Sequence, residues 1–186
     1  MRKYNFLLVM LVAILAISCS QSSSDTQVSN LGTKWHWDKG TIVIETPERP
    51  TGQTSVIGLK APKMEFVRVG FVGLGMRGPA AVERFTYIPG VEIVALCDYE
   101  KERAEECQEL LKKASMPEAT VYSGEKGYEE LCKRDDIDLV YIATDWLHHF
   151  PVAMCAMENG KHTAIEVPSA MSLKECWALI DMSEKT

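Results

Sequence analysis

Three glycines stand in the run "VGFVGLGMRGPAAVERF" (69–85), at Gly73, Gly75 and Gly78. Their spacing, G-x-G-x-x-G, directly follows an apolar stretch and directly precedes a helical one. That context is what a dinucleotide's pyrophosphate needs. The first glycine permits a tight turn, the second lets the backbone come close to the phosphates, and the third lets helix and strand pack. Free N–H groups at the helix start, aided by the macrodipole, then bind the anion. Asp98, in "ALCDYE", ends the next apolar stretch. A carboxylate there accepts from the adenosine ribose hydroxyls and repels a 2′-phosphate, which favours NAD over NADP. Two further clusters sit at strand ends. "YIATDWLHHF" carries Thr144, Asp145, Trp146, His148 and His149; "AIEVPSAM" carries Glu166, Val167 and Pro168. In open α/β sheets ligands bind beyond the carboxyl ends of the strands, so these groups are expected around the nicotinamide half.

The elements that must position these residues alternate. Strands are expected at 66–73, 91–98, 120–123, 137–144 and 161–167. Helices are expected at 79–87, 100–114, 127–134, 146–158 and 172–183. Pro79 suits a first helical turn. Asn159-Gly160 ends the fourth helix, and Ser172 with Glu175 reads as a capping box on the last. Strands alternating with helices predict an α/β fold, a Rossmann-type doubly wound parallel sheet.

The sequence ahead of this domain reads differently. Met1-Arg2-Lys3 is basic, and an apolar run from Phe6 to Ile17 ends in "LAISCS". The run suits a signal-peptide core and is too short to span a bilayer. Ser18-Cys19 resembles a lipobox, which predicts cleavage and lipidation at Cys19. The expected organisation is a lipoprotein signal at 1–19, a tether and N-terminal arm at 20–65, and the NAD-binding domain at 66–186. The polar run at 20–30 suits a flexible tether. A short strand is expected at 41–45, and Trp35 and Trp37, flanking His36, are expected to pack rather than to frame a metal. The chain is expected to be exported and anchored by lipid to a bacterial cell envelope, facing the periplasm.

Composition narrows the function classes. With 186 residues the chain makes one full domain, and its formal charge of −6 disfavours nucleic acid as a partner. Apart from Cys19 there are five cysteines and no C-x-x-C pair, so no metal site is expected and buried free thiols are the default.

"VGFVGLGMRG", "TDWLHH" and "GKHTAIEVP" resemble the Gfo/Idh/MocA superfamily, with patterns G-x-G-x-x-G, T-P-N-x-x-H and G-K-H-V-x-x-E-K-P. Asp145-Trp146 replaces Pro-Asn. Val167 replaces a lysine that is often catalytic in the dehydrogenases. With "VERFTYIPGVEIVALCD", "LCKRDDIDLVYIATDW" and "TIVIETPERPTGQ", the chain from Thr41 onward resembles glycoside hydrolase family 109, the NAD-dependent α-N-acetylgalactosaminidases. The resemblance implies that Met76 and Arg77 touch the phosphates. It implies that Asp98 holds the ribose, and that Trp146, Leu147, His148, His149, Glu166 and Val167 line the nicotinamide side. It also implies NAD as cofactor, an α-GalNAc-terminated glycan as substrate, and hydrolysis through transient C3 oxidation, elimination, water addition and re-reduction. Catalytic residues are then expected beyond Thr186, and this chain alone is expected to bind NAD without turnover. A Gfo/Idh/MocA sugar oxidoreductase with net redox and a nonenzymatic NAD-binding remnant are the alternatives.

Overall fold

The structure is a computed structural model that describes residues 27–28, 34–45 and 48–186. The expected signal and Cys19 lie outside the described residues. Two compact units emerge, residues 1–47 and residues 48–186.

In the first unit, β1 (Gln27–Val28), β2 (Lys34–Asp38) and β3 (Thr41–Ile44) form an antiparallel sheet in that order. The strand expected near Thr41 thus has a partner that sequence reasoning missed. Lys39 and Gly40 both have positive φ, 47° and 82°, the geometry whose twist suits a two-residue hairpin turn. Pairing Trp35 with Ile44 and Trp37 with Ile42 puts four apolar side chains on one face. The two indoles meet edge-on at 6.3 Å. His36 falls on the opposite face.

The second unit holds a five-stranded sheet. Its strands are β4 (Val67–Val72), β5 (Val91–Asp98), β6 (Thr120–Ser123), β7 (Leu139–Ile142) and β8 (His162–Ile165). The order is β6-β5-β4-β7-β8, and every pairing is parallel. The helices are α1 (Gly78–Phe85), α2 (Lys101–Lys113), α3 (Gly127–Cys132), α4 (Trp146–Glu158) and α5 (Leu173–Lys185). Each expected element is present, with ends moved by a few residues. A sheet covered on both faces buries continuous apolar runs. Val69, Phe71 and Leu96 pack with Val82 and Leu111 of α1 and α2. Val72, Val140 and Ile142 pack with Leu131 of α3 and Val152 of α4. Rings of Phe71, Phe85 and Tyr141 meet pairwise at 5.2–5.3 Å. The chain winds outward from β4 in one direction to β6, then returns to start again at β7. Open α/β sheets bind ligands at such a reversal, beyond the carboxyl ends of the strands, here β4 and β7.

Residues 48–65, read in the sequence as part of the arm, group with the second unit. The Arg49 guanidinium grips Glu184 of α5 with two bonds of 2.6 and 2.9 Å, and Gln53 Nε2 donates to the Asp181 carbonyl at 3.2 Å. At α5's start, Glu175 N–H donates to Ser172 Oγ and Ser172 N–H to Glu175 Oε2, at 3.2 and 3.0 Å, which completes the capping box.

At the amino ends of β4 and β7, the Asp138 carboxylate accepts both the guanidinium of Arg68, at 2.7 and 2.9 Å, and its backbone N–H at 2.8 Å. These bonds hold the Asp138 carboxyl below its ordinary value. A depressed carboxylate stabilises the fold above its unfolded pKa of about 4 and loses that contribution as pH falls through the folded value. The stability gap between wild type and Asp138→Asn is therefore expected to narrow as thermal melts are taken from pH 6 towards pH 3. Parallel curves would show that the pair contributes nothing.

Candidate functional site

The three glycines of the turn after β4 have three different reasons. Gly73 has φ +92°, and a Cβ there would run into the backbone of Ala143 and Thr144 after β7. At Gly78 a Cβ would strike the Gly73 carbonyl oxygen. Gly75 is unlike both. Within 4 Å of a Cβ at Gly75 there is a single atom, a guanidinium nitrogen of Arg103 at 3.7 Å, an ordinary contact. The chain's own packing does not require glycine there. A glycine that faces open space is what close approach of a phosphate requires, so the turn fits a dinucleotide. The N-cap of α1, Arg77, makes no side-chain cap, which leaves the first N–H groups of the helix for an anion. Met76 lies at the tip of the turn, 90% exposed.

Asp98 ends β5 and is 6% exposed. Its Oδ2 accepts the Leu74 N–H at 2.6 Å, and its Oδ1 accepts the Glu100 N–H at 3.0 Å and Arg103 Nη1 at 3.4 Å. The carboxylate thus fastens the glycine turn to β5. A carboxylate offers about four lone-pair positions, so three donors leave room for one hydroxyl.

After β7, Asp145 caps α4. Its carboxylate accepts the Leu147 N–H at 3.0 Å and faces His148 Nδ1 at 2.6 Å. Partial burial raises the Asp145 pKa, but these hydrogen bonds outweigh it and hold the carboxyl below its ordinary value. Trp146 and Leu147 are exposed. His149 points the other way. It is buried, with Nδ1 at 2.6 Å from the Pro168 carbonyl and Nε2 at 3.1 Å from the Thr144 carbonyl. Its ring ties the loop after β7 to the loop after β8 and supports the site from behind. Beyond β8, Glu166 Oε1 accepts the Tyr141 hydroxyl at 2.7 Å. Val167, 83% exposed, precedes a cis proline.

The turn 73–78, Asp98, the segment 144–149 and Glu166-Val167 therefore share the carboxyl edge of the sheet. Exposed Met76, Trp146, Leu147 and Val167 give that edge an apolar surface of the sort that marks a ligand or partner face. It is an open edge. Two shallow depressions, of about 610 and 550 Å³, lie elsewhere, and neither includes the glycine turn. The cysteines take no part. Burial, the leading cause, pushes the Cys97 thiol up to about 12, with the neighbouring Asp98 charge adding to it. Among the described residues no three His, Cys, Asp or Glu side chains are grouped to hold a metal. Two contributors were missed in the sequence: Arg103, five residues after Asp98, and Tyr141, in the penultimate position of β7.

Comparison with known proteins agrees with this geometry. Residues 67–186 match the model of the Gfo/Idh/MocA oxidoreductase family, NAD-binding Rossmann fold. The chain is 70% identical over its whole length to glycosyl hydrolase family 109 protein 5 of Phocaeicola vulgatus, of which it covers 36%. It is 62% identical over 146 residues to family 109 protein 1 of Bacteroides thetaiotaomicron, matching 78% of this chain and 31% of that one. The chain thus spans about a third of the length of these curated relatives. Among solved structures, myo-inositol dehydrogenase from Lactobacillus casei, in complex with NAD(H) and myo-inositol, superposes with TM-score 0.57. It is 27% identical and covers 65% of this chain and 34% of that one. UDP-N-acetylglucosamine 3-dehydrogenase from Acidithiobacillus ferrooxidans gives TM-score 0.52 at 27% identity, over 66% and 35% of the two chains. A turn built around an unfilled Gly75, an acidic residue at the end of the next strand and a doubly wound parallel sheet thus agree with the family match: the chain belongs to the Gfo/Idh/MocA oxidoreductase family, and residues 67–186 are its NAD-binding Rossmann fold.

Proposed function

We propose that this chain is the nucleotide-binding part of an NAD-dependent glycosidase that hydrolyses terminal α-N-acetylgalactosamine. The observation that carries the reading is the 70% identity to a family 109 glycosyl hydrolase, joined to a glycine turn shaped for a dinucleotide. NAD, when bound, would supply reversible hydride acceptance at C3 of the sugar, with no net redox over the cycle. This chain's own residues would bind and orient that cofactor. The turn 73–78 and the start of α1 would hold the pyrophosphate, with Met76 and Arg77 at its rim. Asp98 would accept a ribose hydroxyl. Trp146, Leu147 and His148 would line the nicotinamide side, with His149 behind them. Tyr141 holds the Glu166 carboxylate in place by its hydrogen bond.

Support for chemistry at C3 comes from a structural neighbour named as a 3-dehydrogenase of a nucleotide-linked N-acetylhexosamine. Val167, exposed where the dehydrogenase pattern has lysine, can neither donate nor accept a proton, so the proton that leaves the C3 hydroxyl on oxidation would go to another group. The test is turnover of p-nitrophenyl α-N-acetylgalactosaminide by the full-length protein without added NAD. Release of p-nitrophenol with no accumulation of NADH is expected. No release without added NAD, and one NADH formed per sugar oxidised once NAD is supplied, would make it a sugar dehydrogenase instead. We further propose export through residues 1–19 and lipid attachment at Cys19, facing the periplasm. Incorporation of labelled fatty acid, lost in Cys19→Ser, checks this.

A further inference from the structure

Asp145 and His148 form a pair at the start of α4, with the carboxylate Oδ2 2.6 Å from the ring Nδ1. The pair is exposed at the carboxyl edge of the sheet. Its geometry fixes the state of the ring. Asp145, held below its ordinary value, is ionised near neutral pH, and an ionised carboxylate only accepts. The proton between the two groups therefore sits on Nδ1. In the neutral ring Nε2 is then left with its lone pair, and among the described residues it has no hydrogen-bond partner. The other acceptors at this edge are engaged. Glu166 takes the Tyr141 hydroxyl, Asp98 holds the glycine turn, and both nitrogens of His149 face carbonyls. Because the His149 ring is set between the Thr144 and Pro168 carbonyls, the segment that carries His148 adjoins the one that carries Val167.

We propose that His148 Nε2 is the acceptor of the proton that leaves the sugar's C3 hydroxyl, and that Asp145 is the positioning residue that keeps this nitrogen unprotonated. This rests on the function proposed above. Two departures from the dehydrogenase pattern then explain each other. Valine at 167 removes a group that can exchange a proton, and aspartate at 145, where the pattern has proline, prepares one in the adjoining segment. The balance is simple. As the C3 hydrogen leaves as hydride for the nicotinamide, the O–H bond breaks. Its electron pair closes the C3=O double bond, and its proton passes to Nε2. Re-reduction reverses both transfers, and the imidazolium returns its proton to the oxygen.

The experiment uses the full-length protein and p-nitrophenyl α-N-acetylgalactosaminide, with His148→Gln, His148→Ala and Asp145→Asn beside wild type. Calorimetry gives NAD affinity, and thermal melts report the fold. Loss of a positioned proton acceptor corresponds to about a hundredfold or more in rate. In both His148 variants kcat is expected to fall by that factor, with a much smaller loss of NAD affinity. Added imidazole is expected to restore part of the rate in His148→Ala, because it can take the proton from solution. Asp145→Asn keeps an oxygen for the Leu147 N–H but can turn an NH2 group towards the ring. Its ring proton is expected to move to Nε2, which the nitrogen chemical shifts of isotope-labelled histidine report without any substrate, and kcat falls with it. Wild-type kcat in His148→Gln, or a loss matched by NAD affinity and not rescued by imidazole, overturns the role of His148 alone. A wild-type ring that carries its proton on Nε2 overturns the role of Asp145. A wild type that binds NAD and leaves the glycoside untouched overturns the proposed function and this role with it.

Discussion

Gly75→Val is expected to weaken NAD binding by at least about a hundredfold, roughly 2.7 kcal/mol, and to leave the melting temperature of the domain within a few degrees of wild type. The branched side chain would stand in the space above the turn. Its only near neighbour there is the free end of Arg103, which can move aside. The fold therefore has no reason to object, and a pyrophosphate drawn to the turn has. Gly73→Ala gives the opposite result: its Cβ meets the backbone of Ala143 and Thr144, and its φ of +92° strains any L-residue, so stability is lost first. Calorimetric titration with NAD beside a thermal melt separates the two. Wild-type affinity in Gly75→Val would mean that the turn never approaches the cofactor.

The second large effect belongs to Asp98→Ala. Two roles meet in this carboxylate. It accepts the buried N–H of Leu74 and the more exposed N–H of Glu100, and on the proposed reading it would accept from the ribose. Leaving the buried Leu74 donor unsatisfied costs about 1–3 kcal/mol, and the variant is expected to lose stability on that order. NAD affinity should also fall, and NADP should suffer less than NAD, because the repulsion of a 2′-phosphate goes with the charge. Denaturant unfolding measures the first loss, and paired titrations the second. An equal loss for both cofactors would leave Asp98 only its structural role.

Much of this architecture was legible in the residues because it is written in local patterns. The glycine spacing, the apolar runs of β4, β5 and β7 and the Ser172–Glu175 box each declare themselves within a few positions. What was not legible arises from contacts far apart in sequence or from helical rotation. His148 and His149 look alike as a pair, yet successive residues on a helix point about 100° apart, so one faces the site and the other is buried against Thr144 and Pro168. The grip of Arg49 on Glu184 spans 135 positions and leaves no local sign, so residues 48–65 read as arm. Arg103 looked like one more charge on an amphipathic helix. Its meaning comes from the turn after β4, which tertiary structure brings to it. The β2–β3 hairpin hid behind Asp38-Lys39-Gly40, because lysine is an uncommon occupant of a left-handed turn position.

The loops of the site are bound to one another in series. Gly73 packs closely on Ala143 and Thr144, Asp98 holds Leu74, and the buried His149 ring is set between the Thr144 and Pro168 carbonyls. Few backbone torsions at this edge are left to be frozen when a cofactor arrives, since their entropy was already given up when the domain folded. Binding to such a surface loses little to ordering, and the gain is expected to show as slow dissociation. On the hydrolysis proposed above, the cofactor would end each cycle in the oxidation state in which it began and need not leave, which a rigid cradle suits.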